Sequence, residues 1–227
     1  MDSIRRIVFL FVLFSCCCGL YAQDITETDS SAYSGKPFYM ALKTNMLYNL
    51  CLIPNIGAEF YLGHNFSLAA DYMGAWWKNS RRHRYWRIYG GDIALRWWLP
   101  YGRYASGKPL QGHHIGIYAG ALTYDITWNG RGYMGGESGG TLWDRCNYMC
   151  GVEYGYSLPV AKRLNIDFTV GIGYLGGKCS EYTGMDECYV WLSTKRHHFF
   201  GPTKAEVSLV WLLGQKNLNY GKGGGSR

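Results

Sequence analysis

Leu164-Asn165-Ile166-Asp167-Phe168-Thr169-Val170-Gly171-Ile172-Gly173-Tyr174 alternates strictly between two kinds of side chain. Leu164, Ile166, Phe168, Val170, Ile172 and Tyr174 fall on one face, and Asn165, Asp167, Thr169, Gly171 and Gly173 on the other. A period of two is that of an extended strand, whose successive side chains point to opposite sides. The stretch Lys204 to Leu212 repeats it, with Ala205, Val207, Leu209 and Trp211 opposite Lys204, Glu206 and Ser208. So does Tyr148 to Leu158, with Cys150, Val152, Tyr154 and Tyr156 opposite Gly151, Glu153, Gly155 and Ser157.

Working outward, five further strands are predicted at 42–52, 56–62, 66–77, 86–98 and 115–126. The faces of 115–126 are not assignable, because that stretch is apolar on both sides. Gly63-His64-Asn65 reads as a hairpin turn, and Ile53-Pro54-Asn55 as a tight one. Lys78–Tyr85, Leu99–His113, Trp128–Asp144, Pro159–Arg163 and Gly177–His198 read as the remaining connections. Eight strands near the 9–11 residues of a tilted membrane strand, joined by mostly alternating short and long loops, fit an antiparallel up-and-down barrel.

Composition agrees with an all-β chain and bears on which face is inside. Charged residues are 17% and aromatics 17% of 227 residues, with 20 Tyr, 9 Trp and 31 Gly. Disorder needs few aromatics and many charges, and a coiled coil needs Ala, Glu, Lys and Leu. A soluble lipocalin-like barrel would carry dense Lys, Glu and Gln outside. Here the polar faces hold mainly Gly, Asn, Ser, Thr and single charges of both signs, which suits a crowded interior. Trp76, Trp77, Trp86, Trp97, Trp98, Tyr101, Tyr154, Tyr156, Tyr174 and Trp211 gather near strand ends, as in the aromatic girdles of membrane barrels. Core packing in a sandwich is the blander role for them.

The expected fold is therefore an eight-stranded transmembrane β-barrel over 41–213 with a polar, side-chain-filled lumen. That lumen would hold Lys43, Arg96 and Lys204 with Glu59, Asp71, Asp92, Glu153, Asp167 and Glu206. Buried charges are tolerable only when paired, so a closed, salt-bridged plug is expected rather than a pore. Paired acids in so small a barrel are structural more often than catalytic.

Residues 1–22 read as a secretory signal peptide: Arg5 and Arg6, an apolar run from Ile7 to Leu20, and a cut after Ala22. Leu13-Phe14-Ser15-Cys16 is a poor lipoprotein box because of Phe14. No later run is long enough for a membrane helix, so a membrane location requires a closed barrel. The outer membrane is the expected location, with lipopolysaccharide and lipid as neighbours. Residues 23–40 and 214–227 read as flexible segments. Cleavage lowers the net charge from +7 to +6, since the segment holds Arg5, Arg6 and Asp2; this names no nucleic acid.

Ala41-Leu42-Lys43-Thr44-Asn45-Met46-Leu47-Tyr48, Pro54-Asn55-Ile56-Gly57-Ala58-Glu59-Phe60, the Trp76-Trp77 pair and Gly201-Pro202-Thr203-Lys204-Ala205-Glu206-Val207-Ser208-Leu209 resemble a family of small outer-membrane proteins of gut and oral Gram-negative anaerobes. That family carries a domain-of-unknown-function label. The resemblance runs from about Met40 to Leu213. It implies an eight-stranded barrel and a gene setting near fimbrial or surface-assembly genes; it brings no activity and no functional residues. The chain departs from the family in its Gly-rich Trp128–Asp144 stretch and its tail. Many outer-membrane barrels end on an aromatic residue read by the barrel insertion machinery, whereas here Gly214–Arg227 follows the last strand.

Candidate chemistry is sparse. Cys179 and Cys188 lie nine positions apart in one expected outward loop, and a loop-stapling disulfide suits an oxidising compartment. Cys146 and Cys150 cannot bridge within one strand, because four residues span about 13 Å and a disulfide needs Cα atoms within about 7 Å. Cys51 reads as a free, buried thiol. The pairs His113-His114 and His197-His198 chelate poorly on a strand, so no metal or cofactor is expected. Lys78, Arg81, Arg82 and Arg84 form one basic outward loop, and Lys195 and Arg196 another. These suit lipid phosphates, acidic glycans or an acidic protein, or are simply solvated.

The function expected is non-enzymatic presentation of outward loops to a surface, fimbrial or envelope-assembly partner. The alternatives are a lipid-modifying enzyme, for which His197, His198, Ser193 and Glu181 are the only nearby set, and a soluble ligand-binding barrel.

Overall fold

The computed structural model describes residues 39–79, 84–100, 109–136, 141, 144–185, 188–214 and 218–219, the side chains of 184, 185 and 188 excepted. Two units divide at Lys36 and Pro37, and every described residue belongs to the second. The expected signal peptide, residues 23–38 and most of the expected tail lie outside the described residues.

The strands are β1 (Met40–Asn45), β2 (Asn55–Gly63), β3 (Phe66–Asn79), β4 (Arg84–Trp98), β5 (Gly112–Trp128), β6 (Arg131–Gly135), β7 (Asn147–Ala161), β8 (Leu164–Met185) and β9 (Cys188–Leu213), with one short helix, α1 (Met46–Leu50). All pairings are antiparallel, and the single sheet closes in a ring. Among the described residues nine strands replace the eight expected. The ninth is β6, inside the stretch expected to be a Gly-rich loop. It pairs with β5 and β8 where β7 has ended.

Two more expectations are corrected. The stretch 177–198 is no loop: β8 and β9 stay paired from Gly177↔His197 up to Met185↔Cys188. Both faces there carry polar and aromatic side chains, so alternation fades while Tyr, Thr, Val and Trp still favour an extended backbone. At the other extreme β1 stops at Asn45. The Asn45 side chain accepts from the Leu47 N–H and caps α1, ending the strand seven residues before the expected boundary.

Side-chain polarity is inverted relative to a water-soluble core. Phe168, Val170 and Ile172 are 46%, 62% and 56% exposed on the outer face, whereas Asp167 and Thr169, flanking Phe168, are 2% and 1% exposed. Ile56, Leu62, Phe66, Leu68, Ile93, Trp97 and Val152 are exposed likewise. The unassigned strand resolves in the same sense: Ile115 and Ile117 lie outside, His114 and Tyr118 inside. Among the described residues no helix is long and apolar enough to cross a membrane.

Followed rung by rung from Lys43 through Gly57, Asp71, Asp92, Gly120, Met149 and Leu175, the ring arrives at Phe199, yet β1 itself pairs Lys43 with Val210. That displacement inclines the strands to the ring axis by about 40°. It also leaves one end of the ring tall, where β3, β4, β5, β8 and β9 run on. Tyr39 and Gly214 lie at the other, low end.

Candidate functional site

The inward face of each strand delivers one or two polar side chains to a shared interior. Small residues make room: a Cβ on Gly155 would meet the His114 ring at 2.5 Å, and one on Gly57 would overlap Asp71. Arg96 of β4 stands at the centre. Its Nε donates to Glu153 Oε1 at 2.6 Å, and its Nη1 to Glu59 Oε2 at 2.9 Å and Asp167 Oδ2 at 3.2 Å. Its Nη2 lies 3.7 Å from Glu206 Oε2. Lys43 Nζ is 2.5 Å from Asp71 and 3.8 Å from Glu206. Lys204 Nζ is 2.5 Å from Asp92, 3.0 Å from Glu153 and 3.6 Å from Glu206.

All nine charged residues expected inside thus join one network, with Glu153 and Glu206 linking its halves. Asp71, Asp92 and Glu206 bring their oxygens within 4.8 Å of one another, with Lys43 beside Asp71, Lys204 beside Asp92 and Glu206 near both lysines. The arrangement holds charge in fixed geometry.

Residues not foreseen complete it. His114 is fully buried, with Nε2 3.0 Å from Asp167 Oδ1 and its ring 4.7 Å from that of Trp98. Trp98 Nε1 donates to Ser67 Oγ, which donates to Glu59. Placing His114 in a loop hid it; the Ile115/Ile117 alternation carried the signal. At the low end Asn219, in the stretch expected to be a free tail, is buried. Its amide donates to Leu164 O and Asn165 Oδ1, and its Oδ1 accepts from Gln111.

Toward the tall end the interior turns apolar. Ile53, Met73 and Ala75 are buried, with Tyr48, Trp77, Trp86 and Ile88 against them. Trp77 Nε1 donates to Leu52 O at 2.7 Å, tying α1's exit to β3. On the outer face of the tall end, Arg87 lies over Trp76 and Tyr85, 4.7 and 4.6 Å from the ring centroids, and pairs with Asp125 at 3.3 Å. Tyr182 donates to the same Asp125, and Tyr189 to Tyr85. Burial, then the Asp125 carboxylate, hold the Tyr182 phenol well above its ordinary range. Hydrogen bonds from Thr141 hold Asp144 below the usual carboxylate range.

The expected disulfide is not formed. Cys179 is a free thiol opposite Lys195, while Cys188 lies opposite Met185. Six residues of strand separate those rungs, roughly 20 Å, against the 7 Å or so that a disulfide tolerates. Cys51 is free but exposed, not buried, because it follows α1 rather than continuing a strand.

Of the basic residues expected outside, Lys78 and Arg84 flank the β3–β4 tip, and Lys195 and Arg196 lie on β9, all exposed at the tall end. Arg81 and Arg82 lie outside the described residues. Lys195 Nζ is 3.6 Å from Glu181. Of the set considered for lipid chemistry, Ser193 lies directly opposite Glu181, while His197 and His198 lie opposite Gly177 and Gly176, four and five residues along β8, and His198 is bonded to Tyr174.

No curated protein and no solved structure matches the chain. A family model described as "Protein of unknown function (DUF3575)" matches residues 8–213, which includes the whole sheet from Met40 to Leu213 and its charged interior, and the chain belongs to that family.

Proposed function

We propose that the chain is an outer-membrane β-barrel without enzymatic activity, whose tall end faces outward and presents its strands and tips to a surface or envelope partner. One observation carries the reading: the apolar outer band of Phe168, Val170 and Ile172 is exposed while Arg96, Glu153 and Asp167 are buried. Hydrocarbon is the medium in which that distribution is favourable, since burial of apolar area yields roughly 25 cal/mol per Å², and at the height of β1, where the ring is closed, no strand edge is left to face lipid. The band on β8 runs from Leu164 to Tyr174, the length of a tilted membrane strand. Phe66, Trp97 and Trp211 toward the low end, and Trp76, Tyr89, Tyr174 and Phe200 toward the tall end, suit the two interfaces.

The interior acts as a structural plug, with every described acid there facing a base. What remains for function is the tall end, basic at Lys78, Arg84, Lys195 and Arg196. The test is affinity capture from native membranes with the wild-type chain and with the fourfold variant Lys78→Glu, Arg84→Glu, Lys195→Glu, Arg196→Glu. Loss of a co-purifying protein supports the reading, and an unchanged set of partners counts against it. Lipid A of unchanged mass on gene deletion is the expected accompaniment; altered acylation would favour the enzymatic alternative.

A further inference from the structure

β9 has a free edge. β1 pairs with it only from Met40↔Leu213 to Asn45↔Ser208. The Asn45 side chain extends the ladder slightly, accepting from Val207 N–H and donating to Ala205 O. Beyond, β9 runs on to Cys188, paired with β8 on its other side. Among the described residues no strand pairs with β9 along the first side of that run. β3 faces it across the opening and is bonded there to the turn after α1, where Gly74 N–H donates to Pro54 O. The opening is two strands wide, the places β1 and β2 would fill had they continued, or about 14 Å between the edges at roughly 4.8 Å per step.

An unpaired run of backbone donors and acceptors is complemented by another extended chain, and an acyl chain has no groups to satisfy it. The side chains along the edge narrow the choice. Val190, Leu192, Phe199 and Phe200 are exposed and apolar, and Lys195 and Arg196 between them are exposed and basic. A second copy is disfavoured by charge: antiparallel pairing of two β9 edges centred on this run sets Lys195 against Lys195, and like charges directly opposite destabilise a sheet. Met40 and Leu213, the outer ends of β1 and β9, lie at the low rim, away from this edge.

We propose that the free edge of β9 between Val190 and Phe200 binds an extended, acidic segment of a partner polypeptide by strand addition. This deepens the reading of the tall end as a partner-presenting surface, and rests on it. The partner strand continues the β8–β9 ladder, its carboxylates lie beside Lys195 and Arg196, and its alternate apolar residues cover Leu192 and Phe199.

The test uses the full chain refolded in detergent and three nine-residue peptides followed by fluorescence anisotropy. The first alternates valine and threonine with three glutamates, the second carries lysines instead, and the third is the acidic peptide N-methylated at every second residue. Saturable binding of the first is expected, with the other two at least tenfold weaker, and Lys195→Glu with Arg196→Glu is expected to invert the charge preference. No saturable binding of the acidic peptide, equal binding of the N-methylated one, or an unchanged preference in the double variant would overturn the proposal. So would disulfide-linked dimers of Lys195→Cys in native membranes, made in a background without the native cysteines because Cys179 lies directly opposite position 195, which make a second copy the occupant. If capture from membranes still depends on the basic tall end while the peptides fail, strand addition alone is removed.

Discussion

Arg96 Nε and Glu153 Oε1 meet at 2.6 Å across the middle of the ring, joining β4 to β7 with both side chains fully withdrawn from solvent. The same guanidinium serves Glu59, Asp167 and Glu206, so it is the one cation that four carboxylates share. Removing one partner of such a set leaves uncompensated buried charge, which costs about 3–5 kcal/mol. Arg96→Met is expected to lower the unfolding free energy of the refolded protein, read from urea titrations, by an amount in that range. Adding Glu153→Gln is expected to recover part of it, measured as a positive coupling in a double-mutant cycle.

Packing of the interior yields a sharper expectation at a residue with no charge. Gly155 lies against the His114 ring, where an added Cβ sits 2.5 Å from the ring atoms. Both ring and backbone are hemmed in, so Gly155→Ala is expected to destabilise by about 1–3 kcal/mol, the cost of overpacking. Val152→Leu on the outer face of the same strand is expected to change stability by less than about 0.5 kcal/mol. Denaturant unfolding of the two variants side by side decides this.

The latch at the low end is separable from both. Asn219 satisfies Leu164 O, Asn165 and Gln111 at once. Asn219→Ala strands buried groups whose desolvation costs about 1–3 kcal/mol. Hydrogen exchange at Leu164 and Asn165 is expected to speed up, while amides near Arg96 are unchanged.

Tyr182 and Asp125 give a pH dependence outside the proposed membrane band. Burial first, then the carboxylate, raise the folded phenol above its unfolded value near 10. A folded group that holds its proton more tightly contributes stability that is fully present below the unfolded value. That contribution is lost as pH rises through the folded one. The alkaline loss of stability is expected to begin near pH 10 in the wild type and to flatten in Tyr182→Phe, measured by denaturation at stepped pH.

Much of this was legible in the sequence, for a physical reason. Where one face must be apolar and the other must fit a narrow interior, alternation is forced, and Leu164–Tyr174 and Lys204–Leu212 show it plainly. The nine charged interior residues followed from that parity alone. Legibility ended where the constraint ended. Past Tyr174 both faces of β8 and β9 are polar or aromatic, so the long ribbon read as a loop and its cysteines as a staple. β6 is five residues long and begins and ends in glycine-bearing turns, which left nothing periodic to detect. His114 went unseen because it falls in a stretch that reads as a loop, and the Ile115–Ile126 stretch beside it is apolar on both faces, with Ile115, Ile117, Ala119 and Ala121 on one and Tyr118, Leu122, Tyr124 and Ile126 on the other. The short β1 depends on one side chain, Asn45, capping a five-residue helix, and no period reports that.

The central claim is that the apolar outer band meets hydrocarbon, and spin labels placed one residue apart on β8 test it most directly. In a cysteine-free background refolded into phospholipid vesicles, labels at Val170 and Ile172 should collide freely with molecular oxygen and be shielded from a water-soluble nickel chelate, while a label at Thr169 is reached by neither. Nickel chelate quenching of the Val170 and Ile172 labels as strongly as of a label at Lys195 would contradict the account.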